Sequence, residues 1–83
     1  MLLENKNVLI TGSGSGIGQV IAKELAKEGA SIIATDINLK AAEETQNMII
    51  DMGGKATSYE MDVTNEEQIK EVLQKSIKEF NKI

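Results

Sequence analysis

Two hydrophobic patterns take turns along this chain: short continuous apolar runs, and longer segments in which apolar residues recur every three or four positions. Asn7-Val8-Leu9-Ile10-Thr11 is a β-branched run that stops at a glycine cluster, which predicts a buried strand. Beyond the cluster, Ile17, Val20, Ile21 and Leu25 follow the i, i+3, i+4, i+8 spacing of one helical face, with Lys23, Glu24, Lys27 and Glu28 on the polar side. Gly29 stands where that helix should stop. Ser31-Ile32-Ile33-Ala34-Thr35 is again continuous, as expected of a parallel strand covered on both faces. After Asp36, Asn38 is placed to cap a helix from Leu39 to Met52, with Leu39, Ala42, Ile49 and Ile50 as apolar positions and Gly53-Gly54 as its stop. Ala56 to Met61 mixes apolar residues with Thr57, Ser58, Tyr59 and Glu60, which suits a strand at a sheet edge. Thr64 and Glu67 have the spacing of a capping box for a last helix carrying Ile69, Val72, Leu73, Ile77 and Phe80 on one face and running almost to Ile83.

The predicted order is therefore βαβαβα. Right-handed crossovers between parallel strands place helices over the faces of the sheet, giving a three-layer α/β arrangement with strand order 3-2-1. In a doubly wound fold a fourth strand follows on the other side of the first. None is found in the chain, so Val8-Leu9-Ile10 is expected to form an open apolar edge. On this reading residues 1–83 are the N-terminal part of a single domain, truncated before the fourth strand.

Composition narrows the function classes. At 83 residues the chain is at most one small domain, and 41% hydrophobic with 27% charged residues is a globular rather than a disordered balance. Nine basic residues against thirteen acidic ones give a net charge of −4, and no basic stripe exists to neutralise phosphates, so nucleic acid is not expected as a partner. Without cysteine or histidine the chain has no disulfide, no thiolate or imidazole nucleophile and none of the usual zinc ligands. Met1 to Asn7 is polar, and no apolar run approaches the roughly 20 residues needed to span a bilayer. A cytoplasmic protein with no membrane partner is the expectation.

The candidate chemistry lies in Thr11-Gly12-Ser13-Gly14-Ser15-Gly16-Ile17-Gly18, between the first strand and the first helix. Free N–H groups at the helix start and the positive end of its dipole converge there, making an anion site. Gly12 permits a tight turn after the strand, Gly16 lets a phosphate approach the backbone, and Gly18 is expected to let the helix pack close to the sheet. Alternating Gly and Ser also fits a flexible connector. The position inside a βαβ unit, with Asp36 following the second strand about 20 residues on, argues for a Rossmann-type dinucleotide cradle instead. The G-x-G-x-x-G pattern would need glycine at Ile17, and the phosphate-loop pattern lacks its Gly-Lys-Ser/Thr; T-G-x-x-x-G-x-G fits.

With Thr11, Gly12, Gly16, Ile17 and Gly18 in that pattern, the chain closely resembles the short-chain dehydrogenase/reductase family in its classical branch; the extended branch would want glycine at Ser15. The resemblance covers essentially the whole chain. It implies cofactor-binding roles for Gly12, Ser15, Gly16, Ile17 and Gly18 along the loop, and for Asp36, Asp62 and Val63 beyond it.

Asp36 ends the second strand, where a carboxylate accepts hydrogen bonds from the hydroxyls of an adenosine ribose and repels a 2′-phosphate. NADP preference in the family goes with a basic residue just before the second motif glycine or just after the acid, positions that here hold Ser15 and Ile37, so NAD is favoured over NADP. A solvated loop acid beginning a turn is the alternative for Asp36. Asp62-Val63 resembles the family's Asp-Val pair, which receives the adenine amino group and flanks the ring; an acid helping to start the next helix is the alternative. Tyr59 is not the family's catalytic tyrosine, because Val63 stands where a lysine would have to follow. A packing role is expected of it.

The resemblance implies an NAD(P)-dependent oxidoreductase acting on an alcohol or carbonyl substrate, with a homo-oligomeric parent protein. The family's Asn-Asn-Ala-Gly segment and its catalytic Ser, Tyr and Lys are not found in the chain, so no turnover is expected from these residues alone. Two other readings compete: a non-catalytic nucleotide-binding module that pairs through its open edge, and a methyltransferase, against which the loop spacing and Asp62-Val63 both speak.

Overall fold

The computed structural model describes residues 2–80 apart from the Phe80 side chain, so the expectations for Met1, for Phe80 on the last apolar face and for the chain up to Ile83 lie outside the described residues. Three strands, β1 (Asn7–Ile10), β2 (Ser31–Asp36) and β3 (Lys55–Glu60), alternate with three helices, α1 (Gly16–Lys27), α2 (Leu39–Asp51) and α3 (Glu66–Phe80). Both strand pairs are parallel, and β2 lies between β1 and β3, as the strand order 3-2-1 requires. Val8, Ile32 and Ala56 stand in register, followed by Leu9, Ile33 and Thr57, then by Ile10, Ala34 and Ser58.

This register assigns the two faces of the sheet. Val8, Ile10, Ile32, Ala34 and Ala56 pack in one cluster with Ala22 and Ala26 of α1 and Ile49 of α2, and the Ser58 hydroxyl donates to Gln46 of α2 at 2.6 Å. On the other face the Tyr59 hydroxyl donates to Glu79 of α3 at 2.8 Å. Side chains alternate along a strand, so Ile33 and Thr35, in register with Thr57 and Tyr59, share the α3 side. Three layers result, α/β in class. The central strand is buried from Ile32 to Thr35, whereas β1 and the middle of β3 are half-buried, which explains the mixed composition of β3. No helix among the described residues is long and apolar enough to cross a membrane.

Three expectations need correction. The stripe Ile17, Val20, Ile21 does not face the core: these residues are 79%, 58% and 47% exposed, and α1 buries Gly18, Ala22 and Ala26 instead. The cause is at the N-terminus of the helix, where Gly18 lies so close to the Gly12 carbonyl that a Cβ would collide with it. That contact fixes the rotation of α1, and Ala22 and Ala26, four and eight residues on, follow Gly18 inward. In α2, Ala42 and Ile49 are buried as expected, but Thr45 shares their face while Leu39 and Ile50 are 38% and 48% exposed. In α3 the capping box does not form. Asn65 is the cap, its Oδ1 accepting from Gln68 N at 3.1 Å, and the Gln68 side chain takes the Asp62 N–H instead of the cap's own.

Stops are where glycine placed them. Gly29 follows α1 with φ +95° and Gly53 follows α2 with φ +87°, the left-handed conformation that closes a helix. Asn38 caps α2 by accepting from Ala41 N.

Candidate functional site

Parallel strands bring their C-terminal ends to one edge of the sheet, and the loop after β1, Asp36 at the end of β2 and Asp62-Val63 after β3 all lie along that edge. The loop begins with Gly12 at φ +62°, a turn closed by the bond from Ser15 N to Gly12 O at 3.1 Å. Ser15 is extended (φ −81°, ψ 162°) and caps α1: its Oγ accepts from Gly18 N at 3.2 Å and donates to Gly12 O at 2.8 Å. The first helical bond runs from Gln19 N to Ser15 O. The N–H groups of Gly16 and Ile17 are thus left without an intrahelical acceptor, on exposed residues at the positive end of the helix dipole.

The glycines differ in what demands them. A Cβ on Gly18 would strike the Gly12 carbonyl and approach Ser13 Cα to 3.1 Å, so the helix packs on its own loop; the sheet is not what Gly18 touches. A Cβ on Gly16 would meet nothing within 4 Å, and its backbone is not left-handed. Gly14, outside the motif, is required after all: a Cβ there would collide with Ala41 Cβ of α2 and lie 3.0 Å from Asp36 Oδ2.

Asp36 is half-buried and turned toward the loop. Its Oδ2 accepts from Gly14 N at 3.0 Å and its Oδ1 from Asn38 N at 2.9 Å, so it both begins the turn into α2 and faces the glycine loop. Each oxygen keeps a second lone pair. Asp62 is exposed along its carboxylate, and Oδ1 accepts from both the hydroxyl (2.7 Å) and the N–H (2.9 Å) of Thr64. Those two bonds, the hydroxyl's first, hold the carboxyl below the ordinary aspartate range. Val63 is 59% exposed. Among the described residues no cluster of carboxylates could hold a metal ion.

A family described as short chain dehydrogenase matches residues 6–83. The chain belongs to the short-chain dehydrogenase family. Relatives of this oxidoreductase family include a cyclohexanol dehydrogenase of an Acinetobacter strain, 40% identical over 92% of this chain and 30% of its own length. Another is a 3-oxoacyl-[acyl-carrier-protein] reductase of Thermotoga maritima, 39% identical over 100% of this chain and 34% of its own. Among solved structures, a 7α-hydroxysteroid dehydrogenase in complex with NADH and 7-oxo glycochenodeoxycholic acid superposes with a TM-score of 0.94 at 36% identity, covering 98% of this chain and 32% of that one. The chain thus spans about a third of the length of these relatives.

Behind the loop this short-chain dehydrogenase segment carries a polar network that the sequence pattern does not reveal. Ser13, Thr35 and Thr45 are fully buried. The N–H and hydroxyl of Ser13 both donate to Thr35 O, at 2.9 and 3.0 Å, and the Thr35 hydroxyl donates to Ile10 O at 2.8 Å. From α2, the Thr45 hydroxyl donates to Ser13 O at 2.7 Å and accepts from Gln19 Nε2 of α1 at 3.3 Å. No buried side-chain polar atom among the described residues lacks a partner. In the sequence these hydroxyls look like the surface serines and threonines around them; the one signal is that Thr45 sits between Ala42 and Ile49 on the buried face of α2.

Proposed function

We propose that this chain is the dinucleotide-binding part of an NAD-dependent short-chain dehydrogenase acting on an alcohol or carbonyl substrate. The observation that carries the reading is Gly16. Nothing among the described residues needs glycine there, yet it sits where two backbone N–H groups, its own and that of Ile17, have no intrahelical acceptor, which is what a phosphate approaching the backbone requires. The residues fit a dinucleotide. Gly16 and Ile17 donate their N–H groups to the pyrophosphate, Gly12 and Gly18 give the loop its shape, and Ser15 holds the turn from which those donors project. Asp36 receives the adenosine ribose hydroxyls on its remaining lone pairs, Asp62 receives the adenine amino group, and Val63 flanks the ring. When bound, the nicotinamide supplies the hydride acceptor or donor. The relative solved with NADH supports a nicotinamide cofactor.

Asp36 favours NAD over NADP. Hydrogen bonds to a charged group are worth about 1.5–3 kcal/mol, and a 2′-phosphate would replace them with repulsion, so selection of about tenfold or more follows. On the same reading, residues 1–83 are the N-terminal part of one NAD(P)-binding domain. The proton-transferring Ser, Tyr and Lys, the substrate site and the contacts of a homo-oligomer belong to the rest of the parent protein. Calorimetry with NAD, NADP and S-adenosylmethionine tests this. Binding of NAD at least tenfold tighter than NADP is expected; binding of S-adenosylmethionine alone would overturn the family-based role, and equal affinity for NAD and NADP would remove the role given to Asp36. No NADH-dependent carbonyl reduction is expected from the chain itself.

One observation favours a second reading, a non-catalytic module pairing through its edge. Among the described strands β1 stands at the end of the sheet, next to β2, with the apolar Ile17, Val20 and Ile21 exposed. Sedimentation equilibrium decides: a stable dimer whose formation is blocked by proline at Leu9 would favour it over the dehydrogenase segment.

A further inference from the structure

The peptide unit joining Ser13 to Gly14 is held at both ends. Its carbonyl accepts from the Thr45 hydroxyl at 2.7 Å, and its N–H, that of Gly14, donates to Asp36 Oδ2 at 3.0 Å. A peptide is a rigid plane, so fixing its carbonyl fixes the direction of its N–H. We infer that Thr45 is a positioning residue for cofactor selection, aiming the Asp36 carboxylate through the Ser13–Gly14 peptide. This rests on the proposed dinucleotide role of Asp36.

Several features give Thr45 this role in preference to simple packing. Its hydroxyl is fully buried on a helix face otherwise formed by Ala42 and Ile49, where an apolar residue would bury more easily. Its hydroxyl crosses to the loop at 2.7 Å from Ser13 O, a much shorter bond than the 3.4 Å to Ala41 O of its own helix, and it also receives Gln19 Nε2. Gly14 completes the clamp: its missing Cβ lets the peptide come flush against Ala41 and Asp36. Without the Thr45 donor the Ser13 carbonyl is buried and unpaired, and the peptide gains freedom to tilt. Asp36 then keeps its charge but loses the N–H that orients Oδ2, so its bonds to the ribose weaken while its repulsion of a 2′-phosphate remains diffuse.

The test is calorimetric affinity for NAD and for NADP in the full chain and in Thr45→Val, Thr45→Ser and Asp36→Ala, with the Thr45→Val, Asp36→Ala double variant. Thr45→Val should weaken NAD about fivefold and leave NADP within about twofold, lowering the selection ratio. Thr45→Ser keeps the hydroxyl and should keep the ratio. In the Asp36→Ala background Thr45→Val should weaken NAD no further. A purely structural role would weaken both dinucleotides equally, and that outcome, or an unchanged ratio, overturns the inference. Should the valine variant not fold, Thr45→Ala removes the same donor while favouring the helix and is read in the same way. A wild-type chain that binds neither dinucleotide would overturn the dinucleotide reading itself, whereas selective wild-type binding with an unaltered variant ratio overturns only the role of Thr45.

Discussion

Gly16 and Gly18 stand two residues apart in one motif, but physical chemistry separates them. Gly18 is glycine because the Gly12 carbonyl leaves no room for a side chain; Gly16 has open space beside it. Gly18→Ala should therefore destabilise the chain by about 1–3 kcal/mol through overpacking and should weaken dinucleotide binding by deforming the loop. Gly16→Ala should leave stability within about 0.5 kcal/mol while weakening NAD about tenfold or more, because its methyl group projects where the phosphate approaches. Urea denaturation and calorimetry on the two variants would separate a glycine the fold needs from one the ligand needs. The motif spacing identifies both glycines as important but not which demand each answers, since the demand on Gly18 comes from a carbonyl six residues earlier that only the turn brings back.

At the scale of elements, α1 shows how periodicity misleads. Ile17, Val20, Ile21 and Leu25 make a convincing stripe, and Ala22 and Ala26 make another beside it. Hydrophobic periodicity says that a helix forms; it does not say which of two adjacent apolar stripes meets the sheet, and small residues win here because α1 is drawn tightly onto its loop. Ala26→Leu should accordingly cost about 1–3 kcal/mol, while Val20→Glu should change stability by less than about 0.5 kcal/mol in this chain, as thermal or urea melting would measure. The start of α3 is a similar case. Thr64 and Asn65 are both good caps by residue type, and Thr64 is withdrawn from competition by its two bonds to Asp62, leaving the cap to Asn65.

At the scale of the molecule, the layers are joined by different means. One face of the sheet is closed by the alanine and isoleucine cluster; on the other, where Ile33 of β2 and Val72 of α3 are buried, the bond from the single tyrosine, Tyr59, to Glu79 adds a polar tie between β3 and α3. Burial first, and then the neighbouring Glu79 carboxylate, hold the Tyr59 hydroxyl above the ordinary tyrosine range. A pKa raised by folding contributes stability that is complete below the unfolded tyrosine's value, about 10, and is lost as pH rises through the folded value. Ultraviolet titration should thus give a midpoint above that of free tyrosine, and stability should decline with alkaline pH across that window. Glu79→Gln should bring the midpoint down part of the way only, because burial raises it independently of Glu79.

By itself the sequence determined the order and type of the elements, the helix stops at Gly29 and Gly53, the parallel 3-2-1 sheet and the loop motif with its following acids. These are local or topological matters: period, turn chemistry and the handedness of crossovers are written in neighbouring residues. The tertiary structure alone decided which side of α1 is buried, why Gly14 is glycine, and that Ser13, Thr35 and Thr45 form a network behind the loop. The first depends on a turn that brings the Gly12 carbonyl back against Gly18, the others on contacts between residues more than twenty positions apart, such as Thr45 with Ser13 and Asp36 with Gly14, and a hydroxyl's burial has no signature until the elements around it have packed.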